Sequence, residues 1–383
     1  MAMAARVSWN PLRCGGTALP PHLLLMAKLI ALCLLLTNHV RLLPDPFLPF
    51  LPFFNHLPPV LFQRTLQVVF VASALALLFN RYVRASCLLL GSTIILGVLS
   101  SKAYYGNNKF FCGSILFLTS LNVPWLLRAQ MVVVYFGAGL NKLLDPDWQS
   151  GQFFDHWARV RLKHGLYITA ASWLPPLLLG KVMCWTTAVT ELGLSAGFAV
   201  QRLYPWAIWG NILFQSSLLL FTGSTFTMFF YSMTAASLVL ADWPKDCLTV
   251  IYDGDCGFCN RCREWVDRFD LERLLVWVPF QTGVARHYGI SDEAIRERMY
   301  LVAGDKIYSG FAAFKMMALY NPVTYLAIAV LVAAPPESWA NFRRVVVVLL
   351  LAVFFPLFNS VGEALYDLVA RNRHRLSAQS CKA

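Results

Sequence analysis

Charged residues are scarce in this sequence of 383 residues, of which they make up only 14%. A globular domain usually contains about 25%. Hydrophobic residues account for 58%, so the composition argues against an ordinary globular protein and is typical of a membrane protein. The charges are also uneven, because residues 261–306 hold a dense mixture of both signs and residues 22–242 hold few. This asymmetry divides the chain in two.

A continuous basic patch is missing as well, although Lys and Arg (32) outnumber Asp and Glu (20) and the net charge is +12. The basic residues stand in short clusters between apolar runs, such as Arg81 with Arg84 and Arg371 with Arg373. Clusters that bound hydrophobic segments fit a membrane surface better than a nucleic acid. We therefore predict a lipid bilayer as a partner and no nucleic-acid binding.

A dense cysteine framework is the third absence. Ten cysteines are present, but seven are scattered, and several of these lie in apolar runs, where a free cysteine behaves as a small hydrophobe. This distribution disfavours a small disulfide-bonded secreted domain. No Ala-x-Ala-like site follows the first apolar run, so we expect that hydrophobic segment to be retained.

Apolar runs near 20 residues long are candidate transmembrane helices. They lie at residues 22–43, 60–79, 85–101, 110–121, 125–143, 167–200, 203–222 and 224–241. The sequence thus predicts a multi-pass membrane bundle of six to eight helices, with a proline-rich connector at residues 43–59, since proline is excluded from regular helix interiors.

The segment QMVVVYFGAGLNKLLDPDWQSGQFF, residues 130–154, places Lys142 at the end of an apolar run. Lys142 either snorkels to the interface beside Trp148 or faces the bundle in a functional role. The segment resembles the HTTM domain that is shared with vitamin K-dependent gamma-carboxylases, and TELGLSAG at 190–197 is similar to that family's later helix, in which Glu191 is the acidic residue. The resemblance implies that Lys142 is a base toward a reduced quinone and that a quinone is a candidate cofactor.

The pattern changes after residue 245. CLTVIYD reads as a buried strand, CNRCREWVDRFDLERL as a helix and LLVWVPFQ as a second strand, and a hairpin at 299–308 and the helix GFAAFKMMALY follow. Strand, helix, strand, hairpin, helix is the order of a thioredoxin-like α/β unit. The tail contains two apolar runs of 12 and 14 residues, at 323–334 and 345–358, which are short for spans and predict helices that lie on the membrane or on the domain.

Three cysteines, Cys256, Cys259 and Cys262, follow the first of these strands at three-residue spacing. Cys256 is predicted at the helix start, where unpaired N–H groups and the positive end of the helix dipole favour its thiolate. Cys259, one turn later, is placed to attack a mixed disulfide made by Cys256. Neither thiol needs a cofactor for this exchange.

Charged residues flank the pair. Arg263 is a candidate for electrostatic stabilisation of the Cys256 thiolate. The negative charges of Asp253 and Asp255 disfavour that thiolate, unless one of the two carboxylates accepts the thiol proton through a water molecule. Cys262 has two interpretations, a third thiol buried on the helix face, which we prefer, or a zinc ligand. Structural zinc needs four ligands, and the fourth would be Cys247 or His287.

YDGDCGFC, residues 252–259, closely resembles the signature of the DCC family of thiol-disulfide oxidoreductases. The likeness continues in VPFQ at 278–281, IYSGFAAF at 307–314 and LYDLVARNRHRLS at 365–377. It implies a thioredoxin-like fold and protein-disulfide reductase activity, with Cys256 and Cys259 as the redox pair and a thiol or disulfide protein or a small thiol as substrate. The sequence departs from thioredoxins in having no proline immediately before the MYLVA strand.

These observations predict a multi-pass membrane bundle followed by an α/β thioredoxin-like domain with a hydrophobic helical extension. The predicted parts are a tail at 1–21, the HTTM-like transmembrane domain at 22–242, the thioredoxin-like core at 246–320, its helical C-terminal part at 321–377 and a tail at 378–383. The leading function is a membrane-embedded thiol-disulfide oxidoreductase of the protein-disulfide reductase type, with a quinone as a candidate electron partner. The alternatives are a carboxylase- or epoxidase-like membrane enzyme that uses Lys142, and a non-catalytic membrane protein that binds metal or senses oxidants.

Overall fold

The computed structural model describes residues 10–43, 52, 56, 58–222, 226–241, 243–244, 246–333 and 340–376. Most of these residues are helical, and a small mixed sheet of four strands lies in the C-terminal part. The predicted connector at 43–59 lies mostly outside the described residues, and the predicted tail at 378–383 lies entirely outside them.

The N-terminal part is a set of helices. They are α1 (Pro21–Leu36), α2 (Pro59–Leu78), α3 (Val83–Ser100), α4 (Asn107–Leu121), α5 (Pro124–Leu144), α6 (Pro146–Ser150), α7 (Gln152–His156), α8 (Gly165–Ser172), α9 (Leu178–Ala199), α10 (Tyr204–Thr222) and α11 (Thr227–Ala236). Proline occupies the first turn of α1, α2 and α5, where its missing N–H has no intrahelical partner to lose.

The C-terminal part combines strands and helices. It contains β1 (Leu248–Tyr252), α12 (Gly257–Phe269), β2 (Leu275–Pro279), α13 (Val284–His287), α14 (Asp292–Glu297), β3 (Tyr300–Ala303), β4 (Lys306–Ser309), α15 (Gly310–Leu319), α16 (Pro322–Ala333), α17 (Ala340–Phe354) and α18 (Asn359–Leu376). The predicted order of strand, helix, strand, hairpin and helix is confirmed. The two short helices α13 and α14 were not predicted.

Two of the described helices, α2 and α3, are long and apolar enough to cross a membrane, and a bent pair at 348–373 would make a third. The six to eight spans predicted from the sequence are therefore not confirmed. Some of the predicted spans form helices that are too short, such as α1 with 16 residues. Others are too polar, such as α9, which carries Lys181 and Glu191 within its 22 residues. On α2 and α3, apolar side chains such as Leu61, Val68 and Leu89 are exposed.

Helices α5 and α9 pack closely because of a glycine at their contact. A Cβ atom on Gly139 would lie 2.8 Å from Leu192 Cγ and 3.1 Å from the carbonyl oxygen of Ala188. Only glycine leaves room for this approach. The Ser195 hydroxyl donates to the Val132 carbonyl at 3.0 Å across the same contact. The following turn of α5 holds Lys142, so this packing positions that side chain against α9.

The sheet has the order β2-β1-β3-β4, in which β1 is parallel to β2 and antiparallel to β3, and β3 is antiparallel to β4. The central strand β1 buries four of its five residues, which explains its continuous apolar sequence, because a strand covered on both faces does not alternate. Leu248, Val250 and Leu301 belong to the same hydrophobic core as the N-terminal helices. Ile251 and Val302 pack instead with α13 and α14.

The tail helices predicted at 323–334 and 345–358 are confirmed as α16 and α17. Helix α17 ends against the N-terminal part, where the Phe354 ring lies 4.8 Å from Trp209 of α10. The adjacent Phe355 meets Trp206 at 5.3 Å. This end of α17 therefore lies on the protein.

Candidate functional site

The three cysteines lie where β1 turns into α12. Cys256 is the residue that precedes the first turn of α12, with extended backbone angles (φ −82°, ψ 111°), and its sulfur accepts a hydrogen bond from the Cys259 N–H at 3.4 Å. A sulfur in this position satisfies one of the unpaired N–H groups of the helix start. The predicted placement of Cys256 at a helix N-terminus is confirmed.

The turn before Cys256 is held against the end of β2. The Gly254 N–H donates to Gln281 Oε1 at 3.2 Å, and the Asn260 amide donates to the Gly254 carbonyl at 2.7 Å. A Cβ atom on Gly254 would lie 2.9 Å from Pro279 Cβ. Glycine at this position is therefore required for the close approach of the turn to β2.

The exposure of the three thiols increases along α12. Cys256 is only 1% exposed, Cys259 is intermediate and Cys262 is exposed. The prediction that Cys262 is a buried thiol is wrong, because α12 buries none of its residues fully and Cys262 lies at the open edge of the helix. Cys262, predicted as a candidate supporting residue of the pair, is thus the most exposed of the three cysteines.

Burial is the main cause of the altered acidity of Cys259 and Cys262. It raises the pKa of Cys259 well above its usual value, and the hydrogen bond and charge of Cys256 act in the same direction. Asp253 also raises the pKa of Cys259, whereas Arg373 lowers it. Partial burial of the sulfur raises the pKa of Cys262, and the charge of Arg261 opposes this. Burial and the neighbouring Cys256 therefore both favour the protonated form of Cys259.

Both predicted aspartates lie in the turn. Asp253 accepts from the Gln281 amide at 3.1 Å and pairs with Arg373 at 3.3 Å, and both members of this pair are largely buried. Asp255 is exposed and accepts from the same Gln281 amide at 3.0 Å. Arg373 therefore balances the carboxylate that would otherwise oppose a thiolate.

Arg263 is directed toward the sheet. Its guanidinium donates to the Tyr252 hydroxyl at 2.8 Å and lies 5.7 Å from the centre of the Tyr252 ring. The Tyr252 ring in turn meets Trp277 edge-on at 5.7 Å. The described contacts of Arg263 fix α12 to β1 and do not include a thiol.

A cavity of about 430 Å³ lies beside the thiols, between α12, the sheet, α15 and α18. Its wall is mainly apolar, and Cys259, Cys262 and Arg373 are among the residues that line it. Helix α18 is held over it by Arg298, which pairs with Glu363 at 2.9 Å and with Asp367 at 2.6 Å. The cavity therefore gives the two outer thiols an apolar surrounding.

Four residues of the site had no site role predicted from the sequence. They are Gln281, Arg298, Tyr366 and Arg373. Of these, Arg373 was expected at a membrane surface but pairs with Asp253. Tyr366 accepts from the Met299 N–H at 3.0 Å and so ties α18 to β3. Gln281, Tyr366 and Arg373 lie inside the segments that resemble the DCC family, and that resemblance is the signal by which they were detectable.

Zinc has no donor set in the part of the chain that the structure describes, because no group of three His, Cys, Asp or Glu side chains there is arranged to hold a metal. Cys247 is exposed at the start of β1 and lies 3.8 Å from the Arg273 carbonyl. His287 ends α13.

The other predicted pair, Lys142 and Glu191, forms an ion pair. The Lys142 ammonium donates to both carboxylate oxygens of Glu191, at 2.9 and 2.7 Å, and also lies 5.1 Å from the centre of the Trp148 ring. The side chains are 19% and 11% exposed. Lys142 therefore faces the neighbouring helix, as the second interpretation has it, and lies beside Trp148, as the first has it; its functional role stays a prediction.

A second cavity, of about 650 Å³, opens at this ion pair. Polar groups on its wall include Gln130, Tyr135 and Gln215, and the rest is largely aromatic and aliphatic. The Gln215 amide donates to the Tyr135 hydroxyl at 3.0 Å, and that hydroxyl bonds Asn211. The Oε1 atoms of Gln130 and Gln215 are buried without a hydrogen-bond partner among the described residues.

Comparison with known proteins supports a redox function for the C-terminal part. A family model described as DCC1-like thiol-disulfide oxidoreductase matches residues 250–342, which include all three cysteines of the site. No curated protein and no solved structure matches the chain. The family match supports an oxidoreductase kind of activity.

Proposed function

We propose that this protein is a membrane-embedded thiol-disulfide oxidoreductase of the protein-disulfide reductase type. The observation that carries the proposal is the Cys-x-x-Cys pair at the start of α12, with the Cys256 sulfur hydrogen-bonded to the Cys259 N–H. The sheet order β2-β1-β3-β4 is that of a thioredoxin-like unit, and in such units the redox pair follows the first strand. The DCC1-like match covers the same residues.

The reaction is an exchange of one disulfide for another. The two thiols of Cys256 and Cys259 lose two electrons and two protons and form one disulfide, while a substrate disulfide gains them and becomes two thiols. The attack passes through a mixed disulfide, which the second cysteine resolves. An external dithiol returns the pair to the reduced form by the same steps in reverse.

Helices α2 and α3 are the proposed membrane anchor. Both are long and apolar enough to span a bilayer, and residues 79–82 join them closely, so they form an antiparallel pair. Their exposed Val60, Leu75 and Leu99 side chains would contact lipid. We include further N-terminal helices in the membrane-embedded part because α4, α5, α9 and α10 pack into the same bundle.

The test is a redox titration of the full chain in membranes. The protein is equilibrated in graded glutathione buffers, free thiols are alkylated, and tryptic peptides are weighed. Cleavage after Lys245 and Arg261 releases residues 246–261, which contain Cys256 and Cys259 but not Cys262. We expect a two-electron transition that is confined to this peptide.

The control for the titration is a Cys247→Ser variant, because Cys247 lies in the same peptide and is exposed outside the helix. Its transition should have the same midpoint. Absence of any transition would refute the proposal. Protection of all three thiols together, with stoichiometric zinc, would favour the non-catalytic metal-binding alternative.

We propose that a quinone binds in the N-terminal part, at the cavity beside Lys142 and Glu191, where its reduced form would supply the two electrons and two protons that return the Cys256–Cys259 disulfide to two thiols. The unpartnered Oε1 atoms of Gln130 and Gln215 are hydrogen-bond acceptors, and a reduced quinone offers two hydroxyl donors on an apolar ring. An oxidised quinone offers acceptors only. The two unpartnered acceptors on the wall of the cavity would therefore favour the reduced form.

Binding of both quinone forms to the full chain in lipid nanodiscs tests this proposal. We expect the reduced form to bind more tightly and Gln215→Leu to weaken it about tenfold, the effect of losing one hydrogen bond of about 1.4 kcal/mol. Gln152→Leu, an exposed position outside the cavity, is the control. Equal binding of both forms, or no effect of Gln215→Leu, would remove the quinone from this site. Quinone-dependent carboxylation or epoxidation by the full chain would support the Lys142 enzyme alternative.

A further inference from the structure

Direct attack by Cys256 on a substrate disulfide requires an exposed sulfur, but Cys256 is the most buried of the three cysteines. An attacking sulfur has to touch the sulfur of its substrate, so access is one of the factors that set the rate of thiol exchange. Cys256 is only 1% exposed, whereas Cys262 is exposed. A disulfide on another protein therefore meets Cys262 before it can meet Cys256.

The three cysteines also form a continuous series on one face of α12. Residues three apart lie side by side on a helix, so Cys259 is a neighbour of both Cys256 and Cys262. Cys259 and Cys262 line the same apolar cavity, and Cys256 does not. Trp265, which is 63% exposed, continues the series on the surface next to Cys262 and provides an apolar contact for a partner protein.

We propose that Cys262 is the catalytic residue that exchanges with substrate disulfides, and that Cys259 passes the disulfide inward to Cys256. The inference rests on the proposed reductase function and adds a third thiol to it. The substrate class that it implies is a protein disulfide exposed at a surface, since only such a disulfide needs an exposed thiol at the edge of the domain.

The steps balance as three successive exchanges. The Cys262 thiol gives up its proton as it attacks the substrate disulfide, forms a mixed disulfide, and one substrate sulfur leaves and takes up a proton as a thiol. Cys259 then attacks the Cys262 sulfur, forms a Cys259–Cys262 disulfide and releases the second substrate thiol. Finally Cys256 attacks the Cys259 sulfur and frees Cys262. In sum Cys256 and Cys259 are oxidised, the substrate gains two electrons, and both protons pass to its thiols.

Helix geometry gives this transfer a direction. Cβ atoms three residues apart in a helix are about 5–6 Å from each other, whereas a disulfide needs about 3.5–4.5 Å. A Cys259–Cys262 bond therefore strains the first turns of α12, and strained disulfides are more oxidising. Cys256 lies before the helix with extended backbone angles, so its bond to Cys259 requires less distortion and is the stable product.

Trapping of the first mixed disulfide tests the proposal directly. The reduced full-length Cys259→Ser variant, with Cys247→Ser added, is mixed with insulin as the protein disulfide and alkylated. Cleavage after Arg261 then places Cys256 and Cys262 in different peptides. We expect the insulin chain on the peptide that contains Cys262. An insulin chain on residues 246–261 would overturn the proposal.

Kinetics provide the second readout. We expect Cys262→Ser and Cys262→Ala to lower the rate of insulin reduction about a hundredfold, and to leave the midpoint of the Cys256–Cys259 pair unchanged. Cys247→Ser, which removes another exposed thiol, should match the unmodified protein. Full activity of both Cys262 variants together with inactive Cys259→Ser would refute the relay and leave the reductase function standing. Full activity of every cysteine variant would refute the reductase function itself.

Discussion

Replacement of Cys259 by serine should lower the disulfide-reductase rate of the full chain by about a thousandfold or more. Cys259 is the thiol that bonds to each of the others, so no protein disulfide can form without it, and loss of an essential nucleophile costs several orders of magnitude. Cys256→Ser should lower the rate at least about a hundredfold. In this variant only the strained Cys259–Cys262 disulfide can form, and the substrate thiols attack that disulfide and are oxidised again. Steady-state reduction of insulin measures both effects.

The matched control for these variants is Cys247→Ser. Cys247 is exposed near the start of β1, so its loss removes a thiol without touching the site. The thermal unfolding midpoints of all variants should agree, since Ser and Cys are similar in size. A Cys259→Ser protein that is folded and still reduces insulin at the normal rate would contradict the assignment of α12 as the redox helix.

Replacement of Lys142 by methionine should lower the free energy of unfolding by about 3 kcal/mol, the lower end of the cost of breaking a buried ion pair. The Glu191 carboxylate loses the ammonium that contacts both of its oxygens, and it stays between α5 and α9. The lower end applies because 19% and 11% of the two side chains remain exposed. Chemical unfolding in detergent micelles measures the change.

Two further variants separate the charge from the side chain itself. The double variant Lys142→Met with Glu191→Gln removes both charges and should recover most of the lost stability, because no carboxylate is left uncompensated. Lys181→Met, at an exposed position of α9, should change stability by less than about 0.5 kcal/mol. If Lys142→Met were no more destabilising than Lys181→Met, the ion pair would not hold these helices together.

The sequence alone determined the local organisation of the C-terminal part. The apolar run CLTVIYD, the GDCG turn and the three- and four-residue spacing of the following apolar positions predicted β1, α12 and the place of Cys256 between them. Such features depend on neighbouring residues and on backbone preferences, which a sequence displays directly. The sequence indicated Lys142 and Glu191 as two separate candidate residues, and only the structure shows that they form an ion pair.

Tertiary structure decided the order of burial of the thiols and the surroundings of the site. Burial depends on which elements cover a helix face, and α18, which begins 90 residues after the end of α12, is held beside α12 by the ion pairs of Arg298 and Arg373. The pattern of α12 does not contain that information, so Cys262 was predicted to be buried. The predicted number of spans was not confirmed for a related reason. An apolar run shows its composition, whereas only folding shows where a helix ends and whether its apolar side chains contact other helices or remain exposed.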